Sequence, residues 1–262
     1  MRALRSLVLL SIVTVSILAI VGSGWWLYTS STLPVQIESE MDLRTILKQS
    51  IESDRQSTQF NKRSAERDKV EWATPDFARL PKNFVALYIM SWDCPTYFQT
   101  PREDGWPWMK RVLNAARNKG MPGDGACEFS FAQRIAWRLG VGGTGSSAVM
   151  ADRIHRYLKK DQLVAYDLHS MQFSQGLIGV EAAARELMQK ELTELSLAEL
   201  TELQLALPPW NQFNEVYACS AVGLLRQARD KLLMNLVYVG LAPEEAAKSA
   251  MAQPLRCAAV KR

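Results

Sequence analysis

Four cysteines and two histidines are the scarcest reactive side chains in this chain of 262 residues. In an oxidising compartment Cys94, Cys127, Cys219 and Cys257 allow three disulfide pairings. Cys94 with Cys127 and Cys219 with Cys257 is the favoured set, because each pair lies within one end of the domain. Buried free thiols are the competing reading. His155 and His169 have no cysteines beside them, so a histidine-rich metal site is excluded and no metal is expected. Arg156 and Lys160 sit one helical turn apart. They can pair with nearby acids or contact a lipid phosphate, and a solvated helix face is the plain alternative. The formal net charge of +4 and pI near 8.9 suit an anionic lipid surface. Nucleic acid is excluded, since there is no zinc-finger spacing, aromatic RNA-binding signature or long basic run.

The elements that must carry these residues read in three parts. Residues 1–30 hold a cytoplasmic tip and a run from Leu7 to Tyr28 without a charge. As a helix it would reach about 33 Å, enough for a bilayer core. Arg2 and Arg5 precede it and Glu38 and Glu40 follow. Positive-inside bias then places the N-terminus in the cytoplasm and everything after residue 30 outside, as a single-pass protein. Trp25, Trp26 and Tyr28 would lie at the outer interface, and the tryptophans make a poor signal-peptide cleavage site. Residues 31–80 are polar, a stalk with one short helix from about Asp42. Residues 81–262 are helical almost throughout. Phe131, Ile135 and Leu139 repeat at four-residue spacing, as do Met150, Ile154 and Leu158. Further helices are expected at 84–91, 108–116, 161–169, 179–190, 197–207, 222–239 and 243–251. Ser196 with Glu199 forms a capping box, and Pro243 followed by two glutamates opens a helix. No long alternating pattern suggests a strand, so the domain is expected to be all-α. Trp106, Trp108, Phe129 and Phe131 form an apolar group that either packs the core or dips into a membrane surface.

Within 80–255 the residues resemble a known family. Arg156 to Leu163 resembles the stretch "R-x-x-S-K-x-x-I-L" of the membrane-bound peptidoglycan glycosyltransferases, family 51. Gly176 to Ala184 resembles their "G-x-x-G-I-E-A-A-A" helix start, Glu194 to Glu199 their "x-L-(S/T)-L-x-E", and Leu207-Pro208-Pro209 their "L-P-x-P". The monofunctional transglycosylases are the nearest in kind. The resemblance implies a single transmembrane helix in a bacterial inner membrane, followed by a periplasmic, lysozyme-like helical glycosyltransferase domain. Its chemistry requires a glutamate base for the acceptor hydroxyl and positive charge for the leaving pyrophosphate.

The same alignment removes those groups. Trp92 falls on the catalytic glutamate of "E-D-x-x-F", with Asp93 on its aspartate, and an indole accepts no proton. In the second motif Gln133 remains, Trp137 replaces the lysine, and Arg134 and Arg138 restore some charge. Gly143, Thr144 and Ser147 fall on the arginine, lysine and glutamate of "R-K-x-x-E". Ala165 and His169 replace a glutamate and an asparagine downstream. Gln133, Arg134, Arg138, Arg156 and Lys160 are therefore the expected substrate or phosphate contacts. Glu103, Asp104, Glu128 and Asp152, with Asp93, are the acids that could rescue catalysis. Taking Glu103–Asp104 as the true pair would spoil the match from Leu80 to Ile89.

The resemblance thus implies a catalytically degenerate, membrane-anchored peptidoglycan glycosyltransferase-like protein, a pseudoenzyme of the cell wall. Its implied partners are membrane lipid, lipid-linked disaccharide or glycan strand, and cell-wall synthesis or envelope proteins. An active divergent transferase and a non-enzymatic envelope scaffold are the alternatives. No resident cofactor is implied, although relatives in that family use a divalent cation.

Overall fold

A computed structural model describes residues 2–31, 33, 37, 39–57, 76–92, 94–99, 102, 126–173, 177–207 and 222–256. Helix α1 spans Arg2–Ser31 and α2 spans Glu40–Ser57. A 3-10 turn at Phe77–Arg79 leads into α3, Lys82–Ser91. Then follow α4 (Ala126–Arg138), α5 (Thr144–Tyr157) and α6 (Lys160–Ser170). Helix α7 (Val180–Ala183) widens into a π-helical segment, Ala184–Met188, which ends on Gln189 in the left-handed region at φ 56°. Helices α8 (Leu197–Leu205), α9 (Val222–Tyr238) and α10 (Glu244–Ala252) complete the order. An isolated antiparallel bridge, Gln172 with Ile178, is the sole extended pairing among the described residues.

The core follows from apolar periodicity. Phe131 and Ile135 of α4 meet Met150 and Ile154 of α5 and Leu163 and Leu168 of α6, all buried. Helix α8 crosses α3, α9 and α10, and every residue from Ala198 to Leu205 is buried. A helix covered on all sides must satisfy its polar groups internally. Thr201 does so through its own turn, donating to the Leu197 carbonyl at 2.7 Å. Gln204 donates to Ser91 of α3 at 3.1 Å, while its amide oxygen is buried without a hydrogen-bond partner among the described residues. Glu199 and Glu202 require cations, described below. Two joints need glycine: Gly143, at φ 82°, opens α5, and Gly179, at φ 92°, opens α7.

The expectation of a membrane-spanning segment is corrected. Among the described residues no helix is long and apolar enough to cross a membrane. Instead, the C-terminal end of α1 joins the helical body. It contacts α5, Trp26 packs on the core, Thr29 is buried, and Leu33 just beyond is buried too. The single-pass inner-membrane placement rested on that segment and falls with it. What stands is an all-α, helix-rich fold. The helix read as continuous over 179–190 is instead broken by the π-helical turn. The expected helix at 108–116 lies outside the described residues, as do Trp106 and Trp108.

Candidate functional site

Helix spacing brings three charged groups into the interior. Tyr88 and Trp92 stand four residues apart at the end of α3, Arg134 and Arg138 four apart on α4, and Asp167 and Ser170 three apart on α6. Asp167 is fully buried. Its Oδ2 accepts from Arg134 Nη2 at 2.6 Å and Nε at 3.0 Å, and its Oδ1 from Arg138 Nη1 at 2.7 Å. The Tyr88 hydroxyl donates to the same carboxylate. Arg138 also reaches the Asp167 carbonyl and the Ser170 hydroxyl. The Arg134 guanidinium stacks on Trp92 with its carbon 3.8 Å from the ring centroid. Burial alone would push the Asp167 carboxyl up, but the two guanidiniums outweigh it and hold the group below the usual carboxylate range. Burial pushes the Tyr88 phenol well up, so it stays a neutral donor.

A second group lies beside the disulfide. Cys94 and Cys127 are joined across 33 residues, tying the segment after α3 to the first turn of α4. Next to Cys127, Glu128 is buried and accepts from Lys160 Nζ at 2.8 Å, and lies 2.8 Å from His155 Nε2. Lys160 also donates to the Tyr97 carbonyl, and the Tyr97 hydroxyl returns a bond to the Lys160 carbonyl at 3.1 Å. Burial would raise Glu128, yet the hydrogen bonds from His155 and Lys160 prevail and leave it lowered. Burial raises the Tyr97 phenol well above its ordinary range.

On α5, Asp152 is buried and pairs with Arg156 at 2.6 Å one turn away, while the Arg156 side chain stays 62% exposed. Here burial wins over the cation and Asp152 is raised. Ser147 is fully buried between α4 and α5, where Gln133 Nε2 donates to its hydroxyl at 3.3 Å. His169 Nδ1 lies 2.7 Å from Glu181.

The residues singled out from sequence therefore fall into separate groups: Trp92 with Arg134 and Arg138, Glu128 with Lys160, Asp152 with Arg156, and Gln133 with Ser147. Asp93, Glu103, Asp104, Cys219 and Cys257 lie outside the described residues. Trp92 Nε1 is buried with no hydrogen-bond partner among the described residues. His155 and His169, read as plain polar residues, each engage a glutamate. Sequence reasoning missed Asp167, Tyr88 and Arg229. The available signal for Asp167 was a charged residue within the apolar run Leu163 to Leu168; Arg229 sits among Arg226, Asp230 and Lys231, and nothing local singles it out.

Among the described residues there is no group of three or more His, Cys, Asp or Glu that could hold a metal. The chain matches no protein-family model, and no curated protein matches it. With neither a membrane-crossing helix among the described residues nor a family match, the functional reading drawn from the glycosyltransferase resemblance is withdrawn. That covers the degenerate membrane-anchored form, the active form and the envelope scaffold, together with the cell-wall vocabulary attached to them.

Proposed function

We propose that this helical domain is a non-catalytic binding module, one that holds a ligand without transforming it. The observation that carries the reading is the use made of the interior carboxylates. Asp167 is spent on Arg134 and Arg138, Glu128 on Lys160 and His155, and Asp152 on Arg156, at 2.6 to 2.8 Å for the closest contact in each. A general base needs a lone pair directed at a substrate proton. These lone pairs are directed at the guanidiniums, the ammonium and the imidazole of the same domain, and each pair joins two helices or two turns of one helix. Such groups act as internal cross-links. The Cys94–Cys127 bond adds a covalent one and fits a compartment where disulfides persist.

The test is a turnover screen of the full chain against chromogenic glycosides, phosphodiesters and esters, run beside Glu128→Gln, Asp152→Asn and Asp167→Asn. The expected result is no turnover by any form, with stability lost in the variants. Turnover by the natural chain that disappears in a variant still folded by circular dichroism overturns the proposal.

A further inference from the structure

A cavity of about 310 Å³ lies away from these groups, between the start of α8 and the extended segment that follows α10. Its polar lining is Lys190, Ser196, Glu199, Glu202, Gln253 and Arg256. Its hydrogen-bond inventory is lopsided. Glu199 Oε1 accepts from Lys190 Nζ at 2.9 Å and is 3.2 Å from Arg256 Nε. Its Oε2 accepts from Lys190 Nζ at 3.0 Å and from the Ser196 amide at 2.8 Å. Glu202 Oε2 accepts the Arg256 amide at 3.0 Å, and its Oε1 faces Arg229 Nη1 at 3.4 Å. The acceptors on both glutamates are thus engaged.

The donors are not. Arg256 commits Nε to Glu199 and Nη1 to the Met188 carbonyl at 2.9 Å, which leaves the Nη2 hydrogens unused among the described residues. Gln253 uses its amide oxygen to accept from Ser196 at 3.5 Å and, among the described residues, leaves its amide hydrogens over. The Lys190 and Arg256 side chains are 36% and 50% exposed, against 8% for Glu199. The cations are therefore open to a ligand while the acid holding them together is covered. Arg229, fully buried behind Glu202, is paired with Glu202 at 3.4 Å and with Asp230 at 3.3 Å, so its charge is met within the domain and the open donors are those of Lys190, Arg256 and Gln253.

We infer that the cavity between α8 and the segment 253–256 binds a small anionic oxyacid, a carboxylate or phosphate group gripped by Lys190, Arg256 and the Gln253 amide. Donors left over beside carboxylate oxygens that are each already engaged favour an anion, and the two cations that Glu199 holds side by side suit its paired oxygens. The volume lies at the lower end of that of small-molecule sites, so the ligand is a small organic anion and not a macromolecule. This inference supplies the ligand class for the binding module proposed above and rests on that reading.

The experiment is isothermal calorimetry on the full chain with inorganic phosphate and, separately, succinate, at fixed ionic strength. Saturable binding of at least one is expected, and the preferred one identifies the oxyacid class. Loss of one charge-assisted hydrogen bond should weaken that binding about ten-fold in Lys190→Gln and in Arg256→Ala. Arg256→Lys, which keeps the charge and loses the fork, should fall between natural and alanine forms. Absence of saturation by either anion, or equal affinity in all variants that retain natural circular dichroism, overturns the inference. The turnover screen can fail or succeed independently of this titration, so the two proposals are separable.

Discussion

Replacing Asp167 by asparagine isolates the physics of the interior. The carboxylate is fully buried and receives two guanidiniums and a phenol. An amide of the same shape keeps one acceptor oxygen, but its nitrogen now points hydrogens at donors. Arg134 is 9% exposed and cannot turn to water, whereas the Arg138 side chain at 22% can be partly hydrated. The loss is therefore governed by one stranded buried cation, for which about 3–5 kcal/mol is the ordinary cost. For a domain of this size each kcal/mol lowers the melting temperature by about 2–4 °C, so a fall on the order of 10 °C is expected. Urea unfolding followed by far-ultraviolet circular dichroism measures it directly. The acid limb offers a second readout. The folded carboxyl titrates below its unfolded value, so its contribution is present above the unfolded pKa and lost as pH drops through the folded one. The natural chain should lose stability below about pH 4, and the variant should show a flatter limb there. A variant melting within error of the natural chain would refute the reasoning that this ion group holds α3, α4 and α6 together.

Glu202→Gln should behave differently. Burial raises Glu202, so its share of stability is present while it is protonated and is lost as pH rises through the folded pKa. The amide should cost no more than about 1 kcal/mol near neutrality, because Arg229 still has the carbonyls of Met251 and Gln253 at 2.8 Å. A loss as large as that of Asp167→Asn would count against this. Removing the cross-link by Cys94→Ala with Cys127→Ala should cost about 2–4 kcal/mol, and thiol reduction of the natural chain should give the same midpoint shift. Gly143→Ala should cost about 1–3 kcal/mol, since φ 82° with ψ 144° is a backbone region open to glycine, while an added Cβ would meet nothing within 4 Å. A melt unchanged from the natural chain would show that the backbone there relaxes freely.

Local features were legible and distant ones were not. The box of Ser196 and Glu199 was visible because both halves lie within one turn, and the structure closes it in both directions, at 3.3 and 2.8 Å. The apolar repeats of α4 and α5 were visible because they share one face. The pairing of Asp152 with Arg156 at four-residue spacing was equally open to inspection, although Asp152 was weighed as a candidate base. Nothing near Asp167 in sequence announces its partners, which lie 29, 33 and 79 residues away. The resemblance to a glycosyltransferase was carried by short segments, and no family match accompanies it.

By itself the sequence determined the helical class and several helix starts, since capping, turn glycines and apolar period act within a few residues of each other, but not the π-helical break at Ala184–Met188. Only the tertiary structure decided what the charged residues do. Whether a carboxylate is a base or a strut depends on which cation folding brings to it and how much water remains, and both are set by helices far apart in the chain. The same rule left Glu199 covered and Lys190 and Arg256 open, a difference that no spacing in the sequence records.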